Sequence, residues 1–258
     1  MPRDIDKPMK TYNKIALSAL GVIVFLLAWE AVARSGVVPA RLLPSPSAVP
    51  AAFLSEFKSG TWQAMVLASL SHYLVGLSLG TFLGVSFGTA AALWGKWDAF
   101  QAWVVRMLRP IPAIAWIPFA IIWFGVSEGA ASFLIALTVF WINYYASYAA
   151  VRGVDKDLIE LGYAFGQGGL IPRLFKIILP GALPGILSGL RAGLGQGWMT
   201  VVAAELFGIS GLGMRMMEAS GLLATHIVVL YMVTIALLYG VSDFLFMQVQ
   251  SRVLSWQR

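Results

Sequence analysis

Six apolar stretches dominate the sequence, at residues 15–33, 65–94, 103–124, 130–151, 183–206 and 227–249. Each is close to the ~20 residues that an α-helix needs to cross a bilayer core. Inside lipid every backbone N–H and C=O must find its partner within the protein, which a helix achieves alone. The pattern predicts an all-α integral membrane protein of six spans. Residues 1–14 form a short cytoplasmic N-terminus, and 15–258 form a single transmembrane domain. Composition agrees, since 59% of the 258 residues are hydrophobic and 12% charged. Soluble domains hold about a quarter charged residues and at most about half apolar ones.

A net charge of +6 on a soluble protein would point to nucleic acid. Here the charges fall between the apolar runs, so topology explains them and no nucleic-acid partner is expected. With the N-terminus inside, the inner segments hold thirteen basic residues: Arg3, Lys7, Lys10, Lys14, Lys96, Arg106, Arg109, Arg152, Lys156, Arg173, Lys176, Arg252 and Arg258. The outer segments hold four, Arg34, Arg41, Lys58 and Arg215. This bias predicts both ends in the cytoplasm. Lys7, Lys10 and Lys14 followed by an apolar run and Ala31-Val32-Ala33 resemble a secretory signal. The run is nearly of span length, so an uncleaved first helix is expected. The absence of cysteine excludes disulfides, thiolate catalysis and cysteine metal sites. His72 and His226 are too few for a histidine metal cluster, and no metal is expected.

The second span is long and should tilt or protrude. The third is the least regular, because Pro110, Pro112 and Pro118 free carbonyls that need protein or water to answer them. That requirement predicts a helix buried in the bundle or facing a cavity.

Two loops are long. Residues 34–63 lie outside and include the turn-rich Leu43-Pro44-Ser45-Pro46. Residues 152–182 lie inside and are amphipathic. Asp155 and Asp157 suit the start of a short helix, where acidic side chains meet the positive end of the dipole. Leu158, Leu161 and Phe165 recur at helical spacing, Gly166 to Gly169 break the helix, and a second amphipathic piece follows from Pro172 with Leu174, Phe175 and Ile178. Pro180 and Pro184 stiffen the approach to the fifth span. The pattern alone fits equally a hairpin lying in lipid headgroups or a docking element with apolar anchors.

Glu160, Gly166, Ile177, Leu179 and Pro180 resemble the EAA signature of ABC importer permeases. Leu161-Gly162 stand where the family has two alanines, and the stretch from Gly166 to Ile177 is one residue longer than the family spacing, an excess expected at Gly168-Gly169. Leu43-Pro44-Ser45-Pro46, the stretch from Leu108 to Pro118, Trp123-Phe124-Gly125, the stretch from Ile178 to Pro184 and the stretch from Gly197 to Glu205 are similar to the nitrate/sulfonate/taurine branch, above all its taurine and alkanesulfonate permeases. The resemblance implies a six-helix type I (MetI-like) importer fold in the bacterial inner membrane. It implies that residues 152–182 seat in a groove of a cytoplasmic ATPase through Glu160, Leu161, Gly162, Phe165, Gly166, Leu174, Phe175, Ile177, Leu179 and Pro180. It implies as partners a second permease copy, two ATPase subunits that hold ATP and Mg, and a periplasmic or lipid-anchored substrate-binding protein. The implied cargo is a small anion, a sulfonate such as taurine first, with nitrate, bicarbonate, an aromatic acid or a pyrimidine precursor as alternatives.

Gly76, Gly80, Gly84 and Gly88 fall every fourth residue on the second span, and Gly181, Gly185, Gly189, Gly193 and Gly197 do so on the fifth. Residues four apart share a helix face, so each row offers a groove to another backbone. Smooth faces of this kind would also let helices slide or rock. The fifth span is expected to line the pathway, with Arg109, Trp116, Asn143, Arg191, Gln196, Trp198 and Thr200 as candidate pathway residues. Charges within spans normally face protein or water. Glu30 and Glu205 lie near outer ends, where solvation is expected. Arg191 could snorkel, pair with a carboxylate or attract an anion, and Asp243 is expected to pair with a basic residue. Asn143, Tyr144 and Tyr145 are expected to make packing hydrogen bonds.

The sequence holds no G-x-x-x-x-G-K-[ST], and Gly95-Lys96 lacks the upstream glycine frame. It also lacks H-E-x-x-H and G-x-S-x-G. No ATPase or other enzyme activity is expected of this chain, and its energy source must be a partner. A secondary transporter would need an internal repeat with broken helices at the midplane, and no convincing repeat is present.

Overall fold

The computed structural model describes residues 11–257, with side chains over 16–256. Most of the 1–14 segment, with Arg3, Lys7 and Lys10, and also Arg258, lie outside the described residues. Eleven α-helices succeed one another among the described residues. They are α1 (Thr11–Arg34), α2 (Val49–Lys58), α3 (Thr61–Leu93), α4 (Gly95–Leu108), α5 (Ile117–Phe124), α6 (Glu128–Arg152), α7 (Lys156–Ala164), α8 (Leu170–Arg173), α9 (Leu179–Glu205), α10 (Leu212–Gly221) and α11 (Thr225–Val253). Five helical segments are long and apolar enough to span a membrane, and α4 with α5 makes a sixth if that bent pair counts as one crossing. At 33 residues α3 exceeds what a ~30 Å core requires.

The third span is not one irregular helix. Its two halves meet at 89°. Proline has no N–H and disfavours the α conformation in the residue before it. Pro110 and Pro112 therefore end the ladder: Arg109 N–H still reaches Val105 O, Ile111 N–H closes a tight turn on Leu108 O, and Pro112 itself is extended (φ −65°, ψ 147°). Helix resumes with a turn at Ala113–Trp116, and Pro118 sits in the first turn of α5, where no N–H is required. The segment is buried only in part: Ile117 and Ala120 enter the core and the proline corner faces a cleft, while Phe100, Trp103 and Ile122 are all more than 70% exposed.

The second piece of the inner loop is not separate from the fifth span. Residues Leu170–Glu205 form one continuous apolar rod. A wide turn at Leu174–Ile178, in which Leu179 N–H bonds to Leu174 O five residues back, carries the helix up to Pro180. Such a turn holds one residue more than an α-turn. It gives the extra residue of the Gly166–Ile177 stretch a place in the helix, without a longer Gly168-Gly169 break.

The centre of the molecule is α6, clamped between α3 and α9. Gly76, Gly80, Gly84 and Gly88 all turn toward α6. A Cβ on Gly84 would stand 2.6 Å from Phe140 O, and one on Gly88 would strike Tyr144 O. From the other side, Gly185 faces Ala150, Gly189 faces Ala146 and Gly193 faces Asn143, while Gly197 meets Tyr73 of α3. Beside this slab, Tyr73 stacks on Trp198 at 4.3 Å within a core that includes Ile135, Val139, Val201 and Tyr231. By contrast α1 is exposed along nearly its whole length, and its polar ties are at its C-terminal end, where Trp29 Nε1 donates to Pro44 O at 3.1 Å.

Candidate functional site

The inner loop folds as a capped hairpin. The Asp155 carboxylate accepts from Asp157 N–H at 3.0 Å and so caps α7. At the other end Gly166 is left-handed (φ +76°), with Gly166 N–H bonded to Tyr163 O (3.0 Å) and Gln167 N–H to Gly162 O (2.8 Å). This pair of bonds satisfies the last carbonyls of the helix and turns the chain back. Gly162 is buried, because Ile177 lies directly on it, and Arg173 stacks over the Tyr163 ring at 5.1 Å. Leu174 and Ile178 pack inward with Ile159, Val151 and Val154, and Leu179 and Pro180 are half-buried. Glu160, Leu161, Phe165, Gly166 and Phe175 stand outward. Leu161, Phe165, Ile171 and Phe175 give this hairpin an apolar knob beside Glu160: Phe165 is 77% exposed, Ile171 70% and Phe175 64%.

The candidate pathway residues divide. Arg109, Gln196 and Thr200 line a cleft of about 450 Å³ between the proline corner, α6 and α9. The Arg109 guanidinium lies 4.0 Å above the Tyr145 ring centre. Thr200 Oγ1 is 3.0 Å from Gln196 O and 3.2 Å from Thr138 Oγ1. Trp116 borders this region but packs on the cluster around Ile117. Asn143 is fully buried between α3 and α9, donating to Val139 O at 3.0 Å and to Thr81 Oγ1 at 3.4 Å. Trp198 is buried on Tyr73 and donates to Ser242 Oγ at 3.4 Å. The Trp198 indole so buries its apolar body and finds an acceptor for its N–H, whereas the Asn143 amide donates twice and leaves Oδ1 without a partner among the described residues. Arg191 does not reach the cleft. It forms a two-pronged pair with Asp243 of α11, Nε to Oδ1 at 2.7 Å and Nη2 to Oδ2 at 2.8 Å, so its charge is answered within the chain.

The expected solvation of Glu205 is overturned, because its side chain has no exposed surface. Ser69 Oγ donates to it at 2.5 Å, His72 Nε2 lies at 2.6 Å, and Gly213 N–H donates at 2.6 Å. Ser69 in turn accepts from Leu212 N–H at 2.9 Å. The loop after α9 wraps the carboxylate so closely that a Cβ on Gly211 would coincide with it. The signal in the sequence was the run of Gly208, Gly211 and Gly213 directly after an acid in an apolar segment. Glu30 remains partly exposed, paired with Arg34 and accepting from Ser47 N–H at 3.1 Å. A second outer cluster had no signal in the sequence. Glu56 of α2 is buried against Arg215 of α10, with Nη2 to Oε1 at 2.6 Å, and accepts from Tyr231 Oη at 2.9 Å. The hydrogen bond from Arg215 holds the Glu56 carboxyl below its ordinary range.

Known proteins resemble this chain along most of its length. The sequence profile of binding-protein-dependent transport system inner membrane components matches residues 76–255. The chain is 35% identical over 219 residues to the aliphatic sulfonates transport permease protein SsuC of Escherichia coli K12, covering 83% of this chain and 82% of that one. It is 31% identical over 250 residues to the taurine transport system permease protein TauC of the same organism, covering 95% and 90%. It is 28% identical over 233 residues to the bicarbonate transport system permease protein CmpB of Synechococcus elongatus, covering 84% and 82%. Among solved structures, a chain of the inward-facing MetNI methionine ABC transporter superposes with a TM-score of 0.61 at 20% identity, over 75% of this chain and 94% of that chain, a likeness of fold.

Proposed function

Because the chain belongs to the family of binding-protein-dependent transport system inner membrane components, we propose that it is the permease half of an ATP-driven importer carrying a small anion, a sulfonate first, into the cell. It is a multi-pass inner-membrane permease and not itself an ATPase. The observation that carries the reading is the knob of Leu161, Phe165, Ile171 and Phe175 on a hairpin capped at both ends. A rigid element with outward apolar anchors is what a groove on a partner requires. We assign this knob to a cytoplasmic ATPase, with two such subunits serving two copies of the permease and a binding protein delivering cargo from outside. The excess of basic residues on the same side as the hairpin supports cytoplasmic N- and C-termini.

In this mechanism, closure of the nucleotide-loaded ATPase pair moves α7 and α8. Because α8 continues directly into α9, and α7 follows α6 after three residues, the movement reaches both helices that wall the cleft. Transport is then a shift between two packings biased by the docked hairpin. The sulfonate assignment leans on the two sulfonate-family relatives and on Arg109 in the cleft, which makes no ion pair among the described residues. The bicarbonate relative makes bicarbonate the competing cargo.

The test is reconstitution in proteoliposomes with the cognate ATPase and binding protein, measuring labelled sulfonate uptake beside ATP hydrolysis. Phe165→Asp, and separately Glu160→Arg or Gly166→Arg, should lower uptake by about tenfold or more while the permease still inserts, since hot-spot anchors commonly carry at least that much binding energy. Normal uptake in all three variants, or uptake that proceeds with no ATPase present, would refute the assignment.

A further inference from the structure

The cleft beneath the proline corner has the chemistry of a binding station. Resting on the importer reading above, we infer that it is a transit subsite for an organic oxyanion, in which Arg109 holds the charged head and the Ile114, Trp141 and Met199 side takes a short apolar tail. Four observations converge on it. The first is position. Tyr145, which Arg109 overlies, is seven residues before the end of α6 at Arg152, and Thr138 is fourteen before it, so the cleft lies roughly 10–20 Å along the helix from that end. A guanidinium beside a spanning helix faces protein or water.

The second is charge. Among the described residues Arg109 makes no ion pair, whereas Arg191 is neutralised by Asp243 and Arg215 by Glu56. The third is geometry. A guanidinium held 4.0 Å over a ring centre makes no hydrogen bond through that contact, so its planar fork stays available to two oxygens of one anion. The fourth is the remaining wall. Thr138, Trp141, Ile142 and Tyr145 recur at three- and four-residue intervals and so share one face of α6. Across from them Gln196 presents a side-chain amide with no partner among the described residues, beside the Thr200 and Thr138 hydroxyls. The volume of about 450 Å³ falls within the range of small-molecule sites, which combine a mainly apolar lining with a few placed polar groups. An inorganic ion would use only the polar part of this lining.

The experiment uses the complete transporter in proteoliposomes with saturating loaded binding protein, so that the step inside the permease sets the rate. Labelled ethanesulfonate is the probe, with sulfate and bicarbonate as competitors trapped in the lumen or added outside. Arg109→Gln should lower kcat for ethanesulfonate uptake by about tenfold or more, the scale of a hydrogen bond to a charged group. The KM for the loaded binding protein and the ATPase rate should stay within about twofold, because the subsite acts after docking. Arg109→Lys should restore only part of the loss, a point charge replacing a fork. Met199→Ser, at a residue 68% exposed, should reduce uptake of butanesulfonate more than that of ethanesulfonate. Wild-type kcat in Arg109→Gln would overturn the inference. Equal loss for every anion with a fall in membrane abundance would overturn it too, by assigning Arg109 to topology. If Arg109→Gln does not insert, Gln196→Leu decides, and unchanged ethanesulfonate kcat there counts against the subsite. A wild-type transporter that shows no ATP-dependent sulfonate uptake would instead sink the importer reading on which this rests.

Discussion

Three polar groups close on the buried Glu205 carboxyl: Ser69 Oγ–H and Gly213 N–H donate to it, and His72 Nε2 shares the third hydrogen bond. Removing the acid leaves all three without that partner in a fully buried site. Glu205→Ala is expected to destabilise the protein by about 2–5 kcal/mol, the cost of leaving several buried hydrogen-bonding groups unsatisfied. Glu205→Gln, which keeps one carbonyl, should cost less. Thermal unfolding in detergent checks the order, and equal midpoints for wild type and the alanine variant would show that the network does not hold the outer loop. At this scale the sequence was legible where chemistry is local. The Asp155 cap and the Gly166 turn follow from residue type and position alone. Glu205 was misread because its partners Ser69 and His72 lie more than 130 residues away, and only the fold brings them together.

Among the elements, the two glycine rows were plain in the sequence, since a four-residue repeat of the smallest side chain needs no tertiary information. Which helix fills the grooves was not, because nothing in α6 itself advertises glycine partners on both sides. The contacts also change the reading of smooth, sliding faces. Ile135, Val139 and Asn143 sit where the Cβ atoms of α3 would be, so α6 is indexed against α3. Gly84→Ala should destabilise by about 1–3 kcal/mol, since the added carbon meets backbone that cannot give way. Gly240→Ala on exposed α11 meets nothing within 4 Å and should be neutral or stabilising by about 1 kcal/mol or less. The two variants, compared by melting in the same detergent, test whether approach distance or glycine content matters, and similar midpoints would favour the latter. The proline corner was only half legible: proline number and spacing forecast irregularity, but an 89° angle depends on what the two short helices pack against.

Across the whole molecule, one face is built around an exposed hairpin and the face away from it around buried carboxylates. The Glu56–Arg215 pair ties α2 to α10 on the face away from the hairpin. Its carboxyl is held low by Arg215, so its contribution to stability is present above the unfolded carboxylate range and is lost as pH falls through the lower folded value. Melting should be insensitive to pH around neutrality and should fall only below about pH 4. Glu56→Gln should flatten that acid limb, and an unchanged limb would place the acid sensitivity elsewhere. The joints between α6 and its two neighbours have a further consequence. On the α3 side glycines meet α6 backbone carbonyls and the Cβ atoms of Ile135, Val139 and Asn143, and on the α9 side glycines meet mainly Ala146, Ala150 and Asn143, so little bulky padding lies between them. A force delivered at residues 156–178 is therefore shared by three helices at once and cannot be absorbed between them. Between the plank of α3, α6 and α9 and the α4–α5 arm the ladder is interrupted at residues 109–112, so that corner is where the arm should hinge.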